Sequence, residues 1–306
     1  MHDNKKVHAM TFHWPAEFDR LTGAYSPSTM RCYLSDVSAF VRWCHSVGIV
    51  EPFPSSRSMI CAFIQDQGLS KSPETVRRRL CSIRKIHALL GEADPTAHED
   101  VTLAMRKIRR GKPGRPKQAK GLTRPYLEMF LAAQPDSLLG IRNRAMLSLG
   151  YDLLTRRSEL VALRTSDVSW REDGTVQALI RRSKSDPFGQ GRIAFSSKRS
   201  AALLETWLAH RGPQIDPLFC PLPHNRPRNQ HLSVTTIKRL IKSSARAAGL
   251  PPEEIAEFSG HSMRVGAAQD LLSAGHGTAA IMRAGGWKSI NVLARYLEQA
   301  EMNVWE

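Results

Sequence analysis

His261-Ser262-Met263-Arg264, followed by Gly285-Gly286-Trp287 and then by Tyr296, is the run of residues on which the reading of this chain turns. Apolar residues recur at helical intervals through Met263–Ala274, Thr278–Ala284 and Ile290–Ala300, so the run predicts three short successive helices. The polar groups on them are those that phosphoryl transfer to a tyrosine needs. Arg264 can fork two N–H donors onto non-bridging phosphate oxygens. His261 and the Trp287 indole N–H add donors, and the Tyr296 hydroxyl is a group able to attack phosphorus. Singly, each has a plainer explanation: a tyrosine between Leu293 and Leu297 packs a helix, and a tryptophan after two glycines fills a gap. In this order they imply breakage and rejoining of a nucleic acid backbone. Tyr25, Tyr33, Tyr126 and Tyr151 are poorer nucleophiles, since none follows a Gly-Gly-Trp at this interval.

Negative charge spreads over the phosphate oxygens in the transition state, and without a metal one arginine does not neutralise it. The stretch YDLLTRRSEL (151–160) supplies a second, Arg156, at the start of an amphipathic helix expected to bury Leu160, Leu163 and Val168. Glu159 lies three residues on, on the same face, where a carboxylate can hold the guanidinium; an exposed salt bridge is the usual fate of that spacing. The departing 5′ oxygen must gain a proton. Lys184, on a basic turn between Val176–Ile180 and Arg192–Phe195, is the candidate general acid, although a solvated loop lysine is the commoner case.

Bulk composition agrees with an anionic partner. Lys and Arg number 44 against 28 Asp and Glu, a formal charge of +16, and the isoelectric point is near 10.1. Such a surplus fits a polyphosphate, because each neutralised phosphate releases counterions. A membrane surface would also attract it, yet no apolar stretch approaches the roughly 20 residues of a span and no charged-then-apolar leader opens the chain. Cys32, Cys44, Cys61, Cys81 and Cys220 form no metal spacing, and four fall in apolar helical patterns. The odd count and missing leader predict free thiols in a reducing cytoplasm, in a prokaryotic nucleoid, plasmid or phage setting. No cofactor and no metal site is expected.

The length suggests two domains. The first 25 residues lack periodicity and are expected to include a frayed arm. Ser26-Pro27 reads as the cap and first residue of a helix carrying Tyr33, Leu34, Val37, Phe40, Val41 and Cys44. Pro54 and Ser55 are read as opening a second, with Gly68 as its stop. Ser72-Pro73-Glu74 opens a third with Val76, Leu80, Ile83, Ile86 and Leu90 inside, and a fourth runs from about His98 to Ile108. The stretch Arg106–Lys120 holds eight basic and no acidic residues, a linker whose charge suits the phosphate backbone. Residues 121–306 read as mostly helical, with further helices at Ala201–His210 and Val234–Ala248 and a sheet of two or three short strands.

Arg-x-x-Glu, a hairpin lysine, His-x-x-Arg, Gly-Gly-Trp and a tyrosine, in that order, resemble the tyrosine recombinase (phage integrase) family. The likeness is strongest over the C-terminal fifty residues, notably FSGHSMRVGAAQD (258–270) and IMRAGGW (281–287), and looser over nearly the whole chain. The resemblance implies a mainly α, α+β fold: a helical core-binding (SAM-like) bundle over 1–110, a basic linker over 111–120 and a mostly helical catalytic domain with a small antiparallel sheet over 121–306. It implies Tyr296 as nucleophile of a 3′-phosphotyrosine bond, Arg156 and Arg264 as phosphate clamp, and His261 and Trp287 as further donors. Lys184 becomes the general acid and Glu159 an orienting carboxylate. It also implies a homotetramer on two double-stranded sites with inverted arms, and strand exchange through a four-way (Holliday) junction without metal or ATP.

DNA contacts are expected from helix faces laid in grooves. Thr75, Arg77, Arg78, Arg79, Ser82 and Lys85 are placed on the outer faces of the third helix, Arg31 and Arg42 on the first, and Arg109, Arg110 and Lys112 near the linker. Thr235, Thr236, Lys238 and Arg239 open a helix resembling the family's major-groove reader. A solvated face is the plain reading of each. Val304 and Trp305 are apolar anchors by which a short tail docks on a neighbouring copy or folds back. A type IB topoisomerase or telomere resolvase is the chemical rival, and a basic helical DNA-binding regulator that cuts nothing is the alternative of another class. Accessory proteins are not legible.

Overall fold

The computed structural model describes residues 14–114, 118–181, 186, 189–298 and 300. The chain divides into two compact units, Met1–Pro116 and Lys117–Glu306.

The first unit is helical: α1 (Trp14–Glu17), a 3-10 turn (Phe18–Leu21), α2 (Pro27–Ser46), α3 (Arg57–Ser70), α4 (Pro73–Leu90) and α5 (Glu99–Gly111). Ser26 and Ser72 cap α2 and α4 as expected, each accepting a backbone N–H at 3.2 Å, from Thr29 and Thr75. α3 departs from expectation at both ends. Its cap is Ser56, and it runs through Gly68 to Ser70. A Cβ at Gly68 would lie 2.6 Å from Ile108 Cγ2, so this glycine lets α5 approach α3 rather than stopping the helix. Phe40, Ile60, Phe63, Val76, Ile83 and Val101 form the main core. Part of the expected frayed arm is packed: Phe18 is fully buried and stacks on Tyr33 at 5.7 Å. Leu34 faces outward, as do the Cys32 and Cys81 thiols expected on apolar faces.

Ser82 also departs from expectation. It lies inside, not on the outer face of α4, because its hydroxyl donates to the buried Asp36 carboxylate at 3.0 Å. Arg78 donates to the same carboxylate. His87 is enclosed too: its Nε2 accepts the Ser55 N–H at 2.9 Å and its Nδ1–H donates to the Ile83 carbonyl at 2.8 Å. That pattern requires a neutral ring, and burial lowers the pKa accordingly.

The second unit contains α6 (Arg124–Ala132), α7 (Leu138–Asp152), α8 (Arg157–Ala162), β1 (Val168–Trp170), β2 (Val176–Ile180), β3 (Arg192–Phe195), α9 (Lys198–Arg211), α10 (Val234–Ala247), α11 (Pro252–Glu257), α12 (Ser262–Ser273), α13 (Thr278–Gly285) and α14 (Ile290–Leu297). The strands form an antiparallel sheet in the order β1-β2-β3, with Ala178 opposite both Val168 and Ala194. Mainly helical content with a small antiparallel sheet is the fold class the sequence predicts. Val168 corrects one detail: it begins β1 instead of extending the helix of Leu160, since α8 ends at Ala162. The core gathers Phe130, Leu147, Leu160, Trp207, Phe219, Phe258 and Leu293. α12 runs through it, seated by Gly266, where a Cβ would fall 2.0 Å from the Leu122 carbonyl oxygen.

Candidate active site

α12 fixes the centre of the site. Ser259 and Ser262 close the turn before it reciprocally: Ser259 N–H donates to Ser262 Oγ at 2.9 Å, and His261 N–H donates to Ser259 Oγ at 3.1 Å. His261 is thereby held on the exposed turn, one helical turn ahead of Arg264. Arg264 itself is 0% exposed. Its Nη1 donates to the Leu154 carbonyl, and its Nη2 to the Gly285 carbonyl at 2.8 Å.

The glycines beside Trp287 explain how the indole reaches this guanidinium. A Cβ at Gly285 would sit 1.9 Å from Trp287 Cζ3, and Gly286 adopts φ 67°, the left-handed turn that ends α13. The chain folds back, and the Trp287 ring lies 3.8 Å beneath the Arg264 guanidinium carbon. Tyr296, on α14, meets Trp287 edge-on at 5.1 Å, and its ring centre is 5.8 Å from the same carbon. Gln269 anchors this tyrosine's backbone carbonyl at 3.3 Å. The phenol is half-buried beside the arginine.

Arg156 enters from the start of α8. Glu159, 3% exposed, accepts the Arg156 backbone N–H at 3.0 Å through Oε2 and its Nη1 at 2.6 Å through Oε1. The carboxylate thus caps the helix and orients the guanidinium together. Arg156 lies close enough to Arg264 to contribute, after burial, to pushing the latter's pKa down to about 10. The structure therefore gathers Arg156, Glu159, Arg264, Trp287 and Tyr296 around one point.

Two of the expected donors are enclosed in this structure. Arg264 does not present an open fork: both Nη atoms bond carbonyls and the group is enclosed. The Trp287 N–H is buried and finds no acceptor among the described residues, so the ring's visible contribution is its face. Lys184, Val304 and Trp305 lie outside the described residues.

Arg192 was not singled out from the sequence, yet it joins the cluster. Its Nη1 donates to the Ala284 carbonyl at 2.6 Å, its Nη2 to the carbonyls of Leu153 at 2.8 Å and Leu154 at 3.3 Å, and Nη2 stands 3.7 Å from Glu159 Oε2. Burial lowers its pKa, against the pull of Glu159. A signal was present: Arg192 and the buried Ala194 share one face of β3, and a cation on the inward face of a strand needs a reason. Leu154 was missed as well; it holds φ 47°, a conformation costing a leucine about 1 kcal/mol.

Two guanidinium groups thus share one carboxylate with Arg264 close by, and Nε of Arg264, Nε of Arg192 and Nε1 of Trp287 are buried donors without a partner among the described residues. Donors exceed acceptors, which suits an anion beside the Tyr296 hydroxyl. Among the described residues no group of three or more His, Cys, Asp or Glu side chains is placed to hold a metal ion. No helix among them is long and apolar enough to cross a membrane.

The other candidate residues lie on helix surfaces. Arg31, Arg42, Arg77 and Arg78 are exposed on α2 and α4, while Thr75 and Arg79 are half-buried, with Arg79 donating to Gln67. Lys85, half-buried, bonds the Tyr25 hydroxyl at 3.0 Å. Arg109 and Arg110 are exposed on α5, and Lys112 turns back to the carbonyls of Leu69 and Lys71, each at 3.1 Å. Thr235, Lys238 and Arg239 are exposed and Thr236 half-buried in the first turns of α10.

Residues 121–302 match the model of the phage integrase family, and the chain belongs to that family, as a tyrosine-type site-specific DNA recombinase. It is 28% identical over 297 residues to recombinase Cre of Escherichia phage P1, covering 91% of this chain and 86% of that protein. It is 30% identical over 302 residues to the integrase/recombinase XerD homolog of Selenomonas ruminantium, covering 92% and 85%. In fold it is similar to the XerH recombinase bound to palindromic difH substrate in a post-cleavage complex, with TM-score 0.66, 18% identity and coverage of 89% and 76%. It is likewise similar to a lambda integrase dimer bound to a COC′ core site, with TM-score 0.67, 15% identity and coverage of 95% and 78%.

Proposed function

We propose that the chain recombines two double-stranded sites by way of a covalent tyrosine–DNA bond. The Tyr296 hydroxyl gives up its proton to solvent and its Oη forms a bond to phosphorus while the bond from phosphorus to the 5′ oxygen breaks. This leaves a 3′-phosphotyrosine and a free 5′ hydroxyl, whose proton comes from Lys184. Arg156 and Arg264 neutralise the non-bridging oxygens, Glu159 orients Arg156, and His261 and Trp287 position the phosphate. The phosphotyrosine conserves the energy of the cleaved bond, so a 5′ hydroxyl from the partner duplex rejoins it without ATP. Two such rounds, through a four-way junction in a homotetramer on inverted arms, complete the exchange. Residues 1–110 form the DNA-binding bundle, 111–120 the basic linker and 121–306 the catalytic domain. Thr235, Thr236, Lys238 and Arg239 read bases, and the basic residues of α2, α4 and α5 hold the backbone.

The gathering of Trp287 and Tyr296 around Arg264, with Arg156 beside it, is the observation that most supports this reading. The test is a library of nicked duplexes of randomised sequence, incubated with the chain and run under denaturing conditions. A recombinase yields a denaturation-resistant adduct that Tyr296→Phe abolishes. A salt-sensitive mobility shift with no adduct identifies a DNA-binding regulator and overturns the proposal.

A further inference from the structure

Two loops that carry the candidate chemistry come from distant parts of the chain. One, Leu153-Leu154-Thr155, delivers Arg156; the other, Ala284-Gly285-Gly286, delivers Trp287. Arg192 and Arg264 lie between them side by side. Each donates one Nη to the first loop and the other Nη to the second, and both share the Leu154 carbonyl. Arg264 has a reacting phosphate to serve. Arg192 has three carbonyls, a nearby Glu159 and a Gly286 whose Cβ would strike its Cδ at 2.7 Å.

From this we infer that Arg192 is a positioning residue for the cleavage step. It locks the Arg156 loop, the Glu159 carboxylate and the Trp287 turn into one rigid frame, so that Arg156 and Arg264 face one phosphate together. The inference rests on the proposed recombinase reading and deepens it. The argument is geometric. A guanidinium is planar, so Ala284, Leu153 and Leu154 are fixed relative to one another by one rigid group, which a flexible ammonium does not reproduce. Leu154 is held at φ 47°, and two guanidinium groups on its carbonyl keep it there. Arg192 also adds a second cation to Glu159, so the carboxylate is held from both sides and Arg156 keeps one orientation. Arg264 touches the Trp287 and Tyr296 rings, whereas the contacts of Arg192 are three carbonyls and Glu159, so Arg192 acts through its neighbours rather than on phosphate.

The test uses the full-length chain and the duplex recovered from the randomised nicked library, made with either a phosphodiester or a neutral methylphosphonate at the scissile position. Arg192→Lys and Arg192→Met are compared with the parent chain for duplex binding by anisotropy and for single-turnover adduct formation. Both variants are expected to bind within about twofold of the parent, with Arg192→Lys cleaving the phosphodiester roughly 100-fold more slowly, the scale of an ångström of misplacement, and Arg192→Met slower still. The deficit should shrink to within about threefold on the methylphosphonate, whose lost charge relieves the need for two aligned arginines. An unchanged phosphodiester rate overturns the inference, as does an equal deficit on both substrates. Binding lost in proportion to cleavage also overturns it, by showing a general folding role. No adduct from the parent chain overturns the recombinase reading itself, and this inference with it.

Discussion

The two units bury charge in opposite ways. In the first, Asp36 is enclosed with Arg78 and Ser82 as donors, and His87 stays neutral between the Ser55 N–H and the Ile83 carbonyl. Each of these groups meets a complement, although Nε of the adjacent Arg79 is left without a partner among the described residues, and the network stabilises one packing of α2 on α4. In the second, Arg156 and Arg192 share Glu159 with Arg264 beside them, and Nε of Arg192, Nε of Arg264 and Nε1 of Trp287 are among the buried donors left over in the described residues. Like charges gathered out of water oppose folding. A chain that keeps such an arrangement uses it for something other than stability, and this is the physical ground for placing chemistry in the second unit.

Substitutions can break or sharpen that contrast. The largest effect is expected from Arg156→Ala, which should slow adduct formation by about 1,000-fold while duplex affinity changes little, because it removes charge stabilisation at phosphate. Rapid-quench gels on the nicked duplex measure it; a loss under tenfold would place the charge stabilisation elsewhere. Glu159→Gln should come next. It strips the sole carboxylate in contact with Arg156 and Arg192 among the described residues, and about 3 kcal/mol of stability should go with it, seen as a lower Tm for the second unit.

Asp36→Asn tests the other side of the contrast. It weakens the bonds to Arg78 and Ser82 and should destabilise the first unit by about 2 kcal/mol in denaturant titration. Adduct formation at saturating duplex should be unaffected, and a slower rate there would erase the distinction between the units. The smallest effect is that of pH on His87. Its folded pKa lies below the ordinary value of 6.5, so its contribution is complete above 6.5 and is lost as pH falls through that value toward the folded one. The first unit should therefore unfold at lower denaturant as the pH drops, and His87→Gln should flatten that dependence.

What the sequence disclosed and what it withheld divide along physical lines. Ser26-Pro27 and Ser72-Pro73 marked helix starts because capping is a local event. The Arg-Glu, His-Arg, Gly-Gly-Trp and tyrosine elements were legible as an ordered set because their spacing survives in one dimension. α7 left no amphipathic trace, since most of its residues from Gly140 to Tyr151 are buried, the polar Arg142, Asn143 and Ser148 among them, so burial does not follow an apolar stripe. Gly68 misled because a glycine that admits a neighbouring helix looks the same, in sequence, as one that ends a helix. Ser82 misled because five basic residues of α4, Arg77, Arg78, Arg79, Arg84 and Lys85, flank an inward hydroxyl whose partner, Asp36, sits on another helix. Arg192 was overlooked since its partners are main-chain carbonyls, which no residue letter records.

Arg264 lies enclosed beneath Trp287 and Tyr296. One face of the indole carries the guanidinium while the tyrosine meets the same ring edge-on, so the turn after α13 and helix α14 set the spacing of cation and phenol in common, and a disturbance of either reaches both.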